Sequence, residues 1–511
     1  MKLTPTSRKI ILILYVSFGF LWGLGQAPLF DEDEAFFAEG TREMVLRNDF
    51  VSTFVNQEQR FDKPPLTNWL QYASAEVFGW SEWAMRLPSA LAALMWMTFI
   101  YLFCKRRLGE SAAFFATLVA ASSLQITIIG KAALADSLLN ATLAGAIFCL
   151  YEAIDKGINK KFLRMFFVLT GIGFLAKGPI AVLVPGATFL LFLLRWNRWN
   201  LLLKIWDPIG LLLFVAIAGP WYYLAYQASG IDFINGFFLS HNVNRFQTAF
   251  EGHYGGILYF VPVLILGLLP FTAVVLRALG RVRFLLHDSW FSFLLLWFLF
   301  VFVLFSMSGT KLHHYIIYGY TPLCAIGGWY MTQAKSLPLV WPSLLFMFLL
   351  TTIPFVVHRV TPTIHDAYAL DIIAGVPDVF SFTYALCMGA LIGILLLAAW
   401  LKSIPLELRS IMIGAVTLVT VNILWMPRLG ALLQAPVKEA ALLAKRKELT
   451  NIVVMNHYNP SFYYYATQFA QERSPLPGDL VFGRKASLKG FQIEHTYYEH
   501  YGIVLVRLAE N

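Results

Sequence analysis

The sequence predicts a polytopic α-helical membrane protein carrying a small α/β domain at its C-terminal end. Three observations support this. Only 14% of the 511 residues are charged, 58% are hydrophobic and the mean hydropathy is +0.64, whereas soluble domains carry roughly 25% charged residues. Apolar runs of about 20 residues recur along the chain, each long enough to cross a bilayer core as a helix. From about residue 427 onward the composition turns to short alternating segments. A β-barrel is disfavoured because alternating segments of about ten residues do not dominate the chain.

The elements follow in order. A basic N-terminus, MKLTPTSRK, precedes a first span at 10–29. The span resembles a signal peptide in its flank, but its length and the lack of a polar segment before GQA favour a retained start-transfer helix. Further spans are expected at 88–104, 111–129, 136–154, 162–177, 179–194, 205–227, 257–276, 290–307, 314–331, 338–357, 380–400 and 410–426, about thirteen in all. With alternating orientation, KRR (105–107), DKGINKKFLR (155–164), RWNRWNLLLK (195–204) and RALGRVR (277–283) fall on the side of the N-terminus, the asymmetry of positive-inside loops. The net charge of +9 is therefore scattered over loops rather than gathered into a nucleic-acid surface. Cys104, Cys149, Cys324 and Cys387 lie inside apolar spans with neither CxxC nor metal-ligand spacing, so no disulfide is expected.

The opposite side receives 31–87, 228–256, 308–313, 358–379 and the tail. Segment 31–87 holds two amphipathic stretches, TREMVLRNDF and LTNWLQYASAEVF, which predict short helices lying at the membrane surface. In the tail, PVKEAALLAKRKEL reads as an amphipathic helix, and NIVVMNHY, SFYYYAT, DLVFG and YGIVLVRL read as strands. The chain thus divides into a transmembrane domain, 1–426, and an outer α/β domain, 427–511.

Ionisable residues collect on that outer side. Asp33 and Glu34 follow span one, with Glu39 close behind; Asp62 and Lys63 stand in RFDKPPL, and Arg86 in MRLPSAL. Lys131 and Asp136 bracket the turn GKAALADS, and Lys177 ends FLAKGP. His241, Arg245 and His253 lie in SHNVNRFQTAFEGHYGG, and Lys311, His313 and Tyr315 in SGTKLHHY. Each has a plainer reading. Lys131 or Lys311 could snorkel to headgroups, Asp136 could cap a helix, His253 could be a loop histidine, and Asp31 and Glu32 read best as solvated. The tryptophans and tyrosines near 69, 80, 83 and 221–223 suit a membrane belt. Together, however, the charged groups would line one cavity, and ionisable groups at membrane helix ends are functional candidates. Lys63, Lys177, Arg245 and Lys311 suit a phosphate, through charge-assisted hydrogen bonds. A carboxylate beside them suits general-base catalysis. Together they describe group transfer from a lipid phosphate. A transporter of a lipid-linked sugar is the alternative from another class, but it would carry midplane charges and paired broken helices.

DEDEAFFAEGTREM, RFDKPPL, MRLPSAL, LADS, FLAKGP, GPWYY, HNVNRF and SGTKLHHYIIYGYTP occur in that order. The series resembles the GT-C membrane glycosyltransferases, specifically the bacterial relatives of protein O-mannosyltransferases and the lipid A aminoarabinose transferases. The resemblance covers about 1–330. It implies an inverting transfer of a sugar from a polyprenyl-phosphate donor to a lipid, glycan or protein acceptor, on the periplasmic side of a bacterial cytoplasmic membrane. It gives Asp33 the role of base, with Asp31 a decoy neighbour, and makes Asp136 a second acid facing the cavity. Lys63 and Arg245 match residues that hold the donor phosphate. Glu34, Glu39, Arg86, Lys131, His241, His313 and Tyr315 would complete the substrate cavity. Asp62, with His241 and His253, occupies a possible divalent-metal position. Aspartate there is one methylene shorter than the glutamate often found in the aminoarabinose branch, and no cofactor is expected to be required for turnover.

Overall fold

The computed structural model describes residues 4–248, 254–334, 341–401, 403–455 and 459–510. Each predicted span contains helix among the described residues; the first, expected at 10–29, is helical only to Leu21, and 338–340 of the span expected at 338–357 lie outside the described residues. Among the described residues seven helices are individually long and apolar enough to cross a membrane. The remaining spans are shorter or broken; Phe260–Gly267 and Thr272–Leu279, for instance, meet at 120°.

The chain begins with α1 (Pro5–Leu21), capped by the Thr4 side chain, which accepts from the Ser7 amide. Segment 31–87 then folds as α2 (Asp33–Arg47), a hairpin of β1 (Thr53–Val55) and β2 (Glu58–Arg60), and α3 (Leu66–Phe78). Both predicted amphipathic helices are present. The first starts at Asp33, earlier than its apolar periodicity suggested, and is buried from Glu34 to Met44 apart from two half-exposed phenylalanines. The transmembrane series continues with α4 (Glu82–Leu108), α5 (Glu110–Ser122), α6 (Leu124–Ile129), α7 (Asp136–Ile154), α8 (Lys160–Lys177) and α9 (Ile180–Trp196). Helix α7 is almost wholly enclosed by protein, whereas Trp341–Thr363 and Phe382–Trp400 turn most of their apolar surface outward. That gradient is expected where the surrounding solvent is lipid, because apolar side chains there need no burial.

Close packing in the core rests on small residues. Helix α5 is rich in alanine and crosses Tyr320–Gln333 at Gly328, where an added Cβ would come within 2.3 Å of the Ala116 nitrogen. Some buried polar groups are paired across helices: the Trp96 indole donates to Thr321 Oγ1 at 2.7 Å, and Tyr15 and Ser122 hydroxyls meet at 2.6 Å.

The outer connection expected at 228–256 is helical as far as Gln247 instead, and its residues 249–253 lie outside the described ones. Pro208–Phe233 bends at Gly230 (φ 54°) and runs on through a π-helix, Ile234–Asn244, to Arg245–Gln247. Its polar letters suggested a loop, but Phe233 and Phe237 stack at 5.6 Å against Trp221 and Tyr222, and this aromatic packing carries the helix onward.

The tail packs a helix, Ala435–Arg446, on a five-stranded sheet. With β3 (Ile452–Val454), β4 (Gln471–Glu472), β5 (Leu480–Arg484), β6 (Ile493–His500) and β7 (Ile503–Leu508), the order is β4-β3-β5-β7-β6. β3 pairs in parallel with β4 and β5, and β7 antiparallel with β5 and β6. Three predicted strands are found, although 456–458 of NIVVMNHY lie outside the described residues. The fourth, SFYYYAT, is a helix, Pro460–Ala466. Proline at its first position fixes a helical φ, and burial of Phe462 against Phe482, with ring centroids 3.9 Å apart, overrides the strand preference of its aromatics. Strand β6, mostly exposed at the sheet edge, lacks the apolar alternation that would have announced it.

Candidate active site

Three adjoining cavities open at the ends of these helices. The central chamber, about 540 Å³, is lined by Asp31, Asp33, Arg60, Asp62, Lys63, His241, Arg245, Lys311 and His313, together with Tyr368, Gln434, Asn459 and Arg484 from later segments. An apolar lobe of about 410 Å³ shares Asp62, Lys63, His241 and Arg245 with it and continues to Lys177, Tyr315 and Tyr318. A second lobe, about 300 Å³, shares Asp31, Asp33 and His313 and continues to Glu34, Arg86 and Lys131.

The first wall is the start of α2. Glu34 lies beneath it, buried, and accepts from Arg86 Nε at 2.8 Å and Nη2 at 2.6 Å, and from the amides of Phe30 and Ala133. The Arg86 guanidinium also donates to the carbonyls of Leu24, Ala27 and Pro28. This pair fixes the exit of α1 to α4 and leaves little capacity for a ligand. Asp33, one residue earlier, is exposed to the chamber, and its carboxylate makes no hydrogen bond or ion pair with any described residue.

The second wall is RFDKPPL. Asp62 accepts from Arg60 at 3.2 Å and Lys63 at 3.3 Å. Burial opposes its ionisation, but Arg60, Lys63 and His241 outweigh that and hold its carboxyl well below the usual range. The Arg60 guanidinium lies 3.7 Å over the Phe36 ring. Two prolines follow, and Pro65 leads directly into α3, so Lys63 projects from a stiff segment.

The third wall joins two motifs far apart in sequence. The Gly309 amide donates to the Phe246 carbonyl at 2.6 Å, and the Thr310 amide and hydroxyl reach the carbonyls of Arg245 and Thr248. Only glycine fits at 309: a Cβ would meet the Thr248 nitrogen at 2.8 Å and its carbonyl carbon at 2.7 Å. Lys311 then turns inward, and its ammonium donates to the carbonyls of Phe305 (3.0 Å) and Ser306 (2.6 Å), satisfying the end of the helix Ser289–Met307.

Not every sequence candidate reaches a cavity wall. Asp136 is buried behind the apolar lobe, where its carboxylate accepts from Lys177 Nζ at 2.6 and 2.7 Å and from the Tyr318 hydroxyl at 2.8 Å. It orients Lys177, which does line the lobe. Glu39 lies in none of the three walls; it is fully buried and paired with Arg42 at 2.6 Å. Burial pushes its carboxyl up to about 7 against the pull of Arg42. Lys131 lines the second lobe with its ammonium on the Trp22 carbonyl and Asn422 Oδ1, both at 2.8 Å, and burial, with Arg86 nearby, pulls it down to about 7. His253 lies outside the described residues. Among the described residues no group of three His, Cys, Asp or Glu side chains could hold a metal ion, and Asp62 is already engaged by two cations.

Asp31, expected to be solvated, fastens the tail. It accepts from the Ser461 amide at 2.9 Å and from the Ser461 hydroxyl, and burial, moderated by these bonds, pushes its carboxyl up to about 7. Sequence reasoning missed five of the lining residues. Arg60 stood inside a quoted motif without a role, and Tyr368, Gln434, Asn459 and Arg484 belong to later segments that carried no membrane-level charge signal.

Residues 62–223 match the family model described as dolichyl-phosphate-mannose-protein mannosyltransferase. An uncharacterized protein of Aquifex aeolicus is 30% identical over 334 residues, 64% of this chain and 74% of that one. The undecaprenyl phosphate-alpha-4-amino-4-deoxy-L-arabinose arabinosyl transferase of Yersinia enterocolitica is 29% identical over 66% of this chain; the match spans 61% of that protein. In fold, the crystal structure of ArnT from Cupriavidus metallidurans bound to undecaprenyl phosphate superposes with a TM-score of 0.81 at 18% identity, covering 98% of this chain and 97% of that one. The chain belongs to the GT-C membrane glycosyltransferases of the bacterial protein O-mannosyltransferase and lipid A aminoarabinose transferase type.

Proposed function

We propose that this chain is an inverting glycosyltransferase. It takes a sugar from undecaprenyl phosphate and passes it to lipid A or another envelope glycan on the periplasmic side of a bacterial cytoplasmic membrane. The observation that carries the reading is Asp33: among the described carboxylates that line the central chamber, it alone has no hydrogen-bond or ion-pair partner. The Yersinia relatives' name favours a 4-amino-4-deoxy-L-arabinose donor.

In this reading the polyprenyl chain lies in the lobe lined by Ile180, Leu183 and Phe305. Its phosphate meets Lys63 and Arg245 where that lobe joins the chamber. Asp33 takes the proton from the acceptor hydroxyl as its oxygen bonds to the anomeric carbon, contributing roughly 10²–10⁴-fold. The bond from that carbon to the phosphate oxygen breaks, and undecaprenyl phosphate leaves with the electron pair. Lys63 and Arg245 stabilise its added negative charge, and Lys177, held by Asp136, adds positive potential beside them. An acceptor that is already an ionised phosphate would need no base, and Asp33 would then orient it. Turnover without a metal is part of the proposal.

The test is transfer by the purified full chain in lipid nanodiscs, with undecaprenyl-phosphate-linked aminoarabinose and lipid A and with chelator present. Sugar should appear on lipid A with wild type and not with Asp33→Asn. Transfer to protein hydroxyls alone would replace the acceptor, and full turnover by Asp33→Asn would remove the base.

A further inference from the structure

The rim on the side of the N-terminus holds its cations in two ways. On one stretch five cations are neutralised by four acids: Arg106 and Arg107 share Glu152, Arg107 also reaches Asp155 at 2.6 Å, Lys105 meets Glu110 at 2.9 Å, and Lys160 and Arg164 share Asp207. The other stretch, 195–204 with 277–288, carries six cations (Arg195, Arg198, Lys204, Arg277, Arg281 and Arg283) and one acid, Asp288. Asp288 caps the helix Ser289–Met307, accepting from the Phe291 amide at 3.0 Å. Among the described residues none of these six cations forms an ion pair.

Three of them gather at one short helix, Val282–His287. Arg281 stands at its start, the guanidinium 4.9 Å from the Tyr330 ring and 5.9 Å from that of Trp329. Arg195 arrives from the end of α9, and its Nη2 donates to the Leu286 carbonyl at 3.4 Å. A helix of six residues is about 9 Å long. Positive charge therefore has two centres, Arg281 at one end and Arg195 at the other, with Arg283 between them. All three are exposed. Apolar side chains lie among them: Phe284, half-exposed, stacks on Trp329 with ring centroids 5.0 Å apart, and Leu194 and Val282 are exposed as well.

Like charges gathered without acids repel one another and attract an anion. The planar fork of a guanidinium suits phosphate oxygens, and the exposed apolar groups beside it suit acyl chains. Basic pockets between helices on the inner side of a membrane bind anionic headgroups in this way. We propose that Arg195, Arg281 and Arg283 bind a diphosphatidyl lipid of the inner leaflet, its two phosphodiesters meeting the two centres of charge. A lipid with one phosphate satisfies one centre only. The site rests on the membrane reading of the chain and is independent of the sugar, acceptor and base assigned above.

Native mass spectrometry of the full chain in detergent tests it, with cardiolipin, phosphatidylglycerol and phosphatidylethanolamine of matched acyl chains as probes. Wild type should retain one cardiolipin about tenfold more tightly than phosphatidylglycerol, as expected for one further charge-assisted contact, and phosphatidylethanolamine should bind most weakly. Arg195→Gln, Arg281→Gln and Arg283→Gln combined should lose that preference, and Arg195→Gln alone should lose part of it. Arg195→Lys, Arg281→Lys and Arg283→Lys combined should keep most of it, and Arg106→Gln, on the neutralised stretch, should leave it unchanged. Equal binding of cardiolipin and phosphatidylglycerol by wild type, a preference that survives the three glutamines, or the same loss in Arg106→Gln would overturn the proposal. Displacement of cardiolipin by an equal concentration of inorganic pyrophosphate would overturn it too, because the ligand would then be a free anion rather than a lipid.

Discussion

Two acid-bearing regions stand beside the same cavities and are built in opposite ways. At the start of α7, Asp136 is closed off: two contacts from Lys177 and one from Tyr318 fill its oxygens. At the start of α2, Asp33 faces open space, while the adjacent Glu34 absorbs Arg86 and two backbone amides. Both regions place a carboxylate in the first turn of a helix after an apolar segment, and both looked catalytic in sequence. The difference shows that partnering, rather than membrane level, separates a group available for proton transfer from one that positions a neighbour.

The comparison predicts different failures. The largest effect is kinetic: Asp33→Asn should lower single-turnover transfer by roughly 10²–10⁴-fold with the melting temperature unchanged. Next is a stability effect: Asp136→Asn leaves the Lys177 ammonium buried without its counter-ion and should cost about 3–5 kcal/mol. Thermal unfolding of the single variant against Asp136→Asn with Lys177→Met should show recovery in the double. If Asp136→Asn were as stable as wild type but equally inactive as Asp33→Asn, the contrast would collapse. Lys63→Ala should weaken undecaprenyl phosphate binding by about 1.5–3 kcal/mol, read by lipid titration, without destabilising the fold.

A smaller change sharpens the geometry of the third wall. Gly309→Ala forces a Cβ against the Thr248 backbone and should cost about 1–3 kcal/mol, separating the two paired segments; unchanged stability would mean that the backbones part easily. A separate effect is the pH response of Asp31. Its carboxyl, ordinarily near 3.8, stands at about 7 in the folded chain, so folding favours its protonated form. The stability it contributes is full below about pH 4 and is lost as pH rises through about 7. Relative to Asp31→Asn, wild type should therefore lose thermal stability across that window, and a parallel pair of pH curves would contradict the assignment.

How legible each part was follows from the same physics. Apolar runs place helices wherever the surrounding solvent is lipid, so the spans could be read in position even where they are broken, as at Phe260–Leu279. Lys63, Arg245 and Asp33 could be read because a charge at a span end is costly and therefore conspicuous. Glu39 was conspicuous for the same reason and misleading, since its partner Arg42 lies three residues along the same helix. The tail was opaque where tertiary packing decides: Pro460–Ala466 is helical because its aromatics are buried, and Arg484 reaches the chamber only through the register of β5 with β7. In GRKASLKG it looks like any solvated strand end.

The central claim, that Asp33 serves glycosyl transfer in the envelope, is tested most directly by mass spectrometry of lipid A, other lipopolysaccharide, polar lipids and periplasmic proteins. A deletion strain would be compared with the same strain carrying wild type or Asp33→Asn. The account predicts one fraction that loses a sugar on deletion, regains it with wild type and does not regain it with Asp33→Asn. If every fraction keeps its sugars while a lipid-linked sugar changes sides of the membrane, the chain is a transporter and the account is wrong.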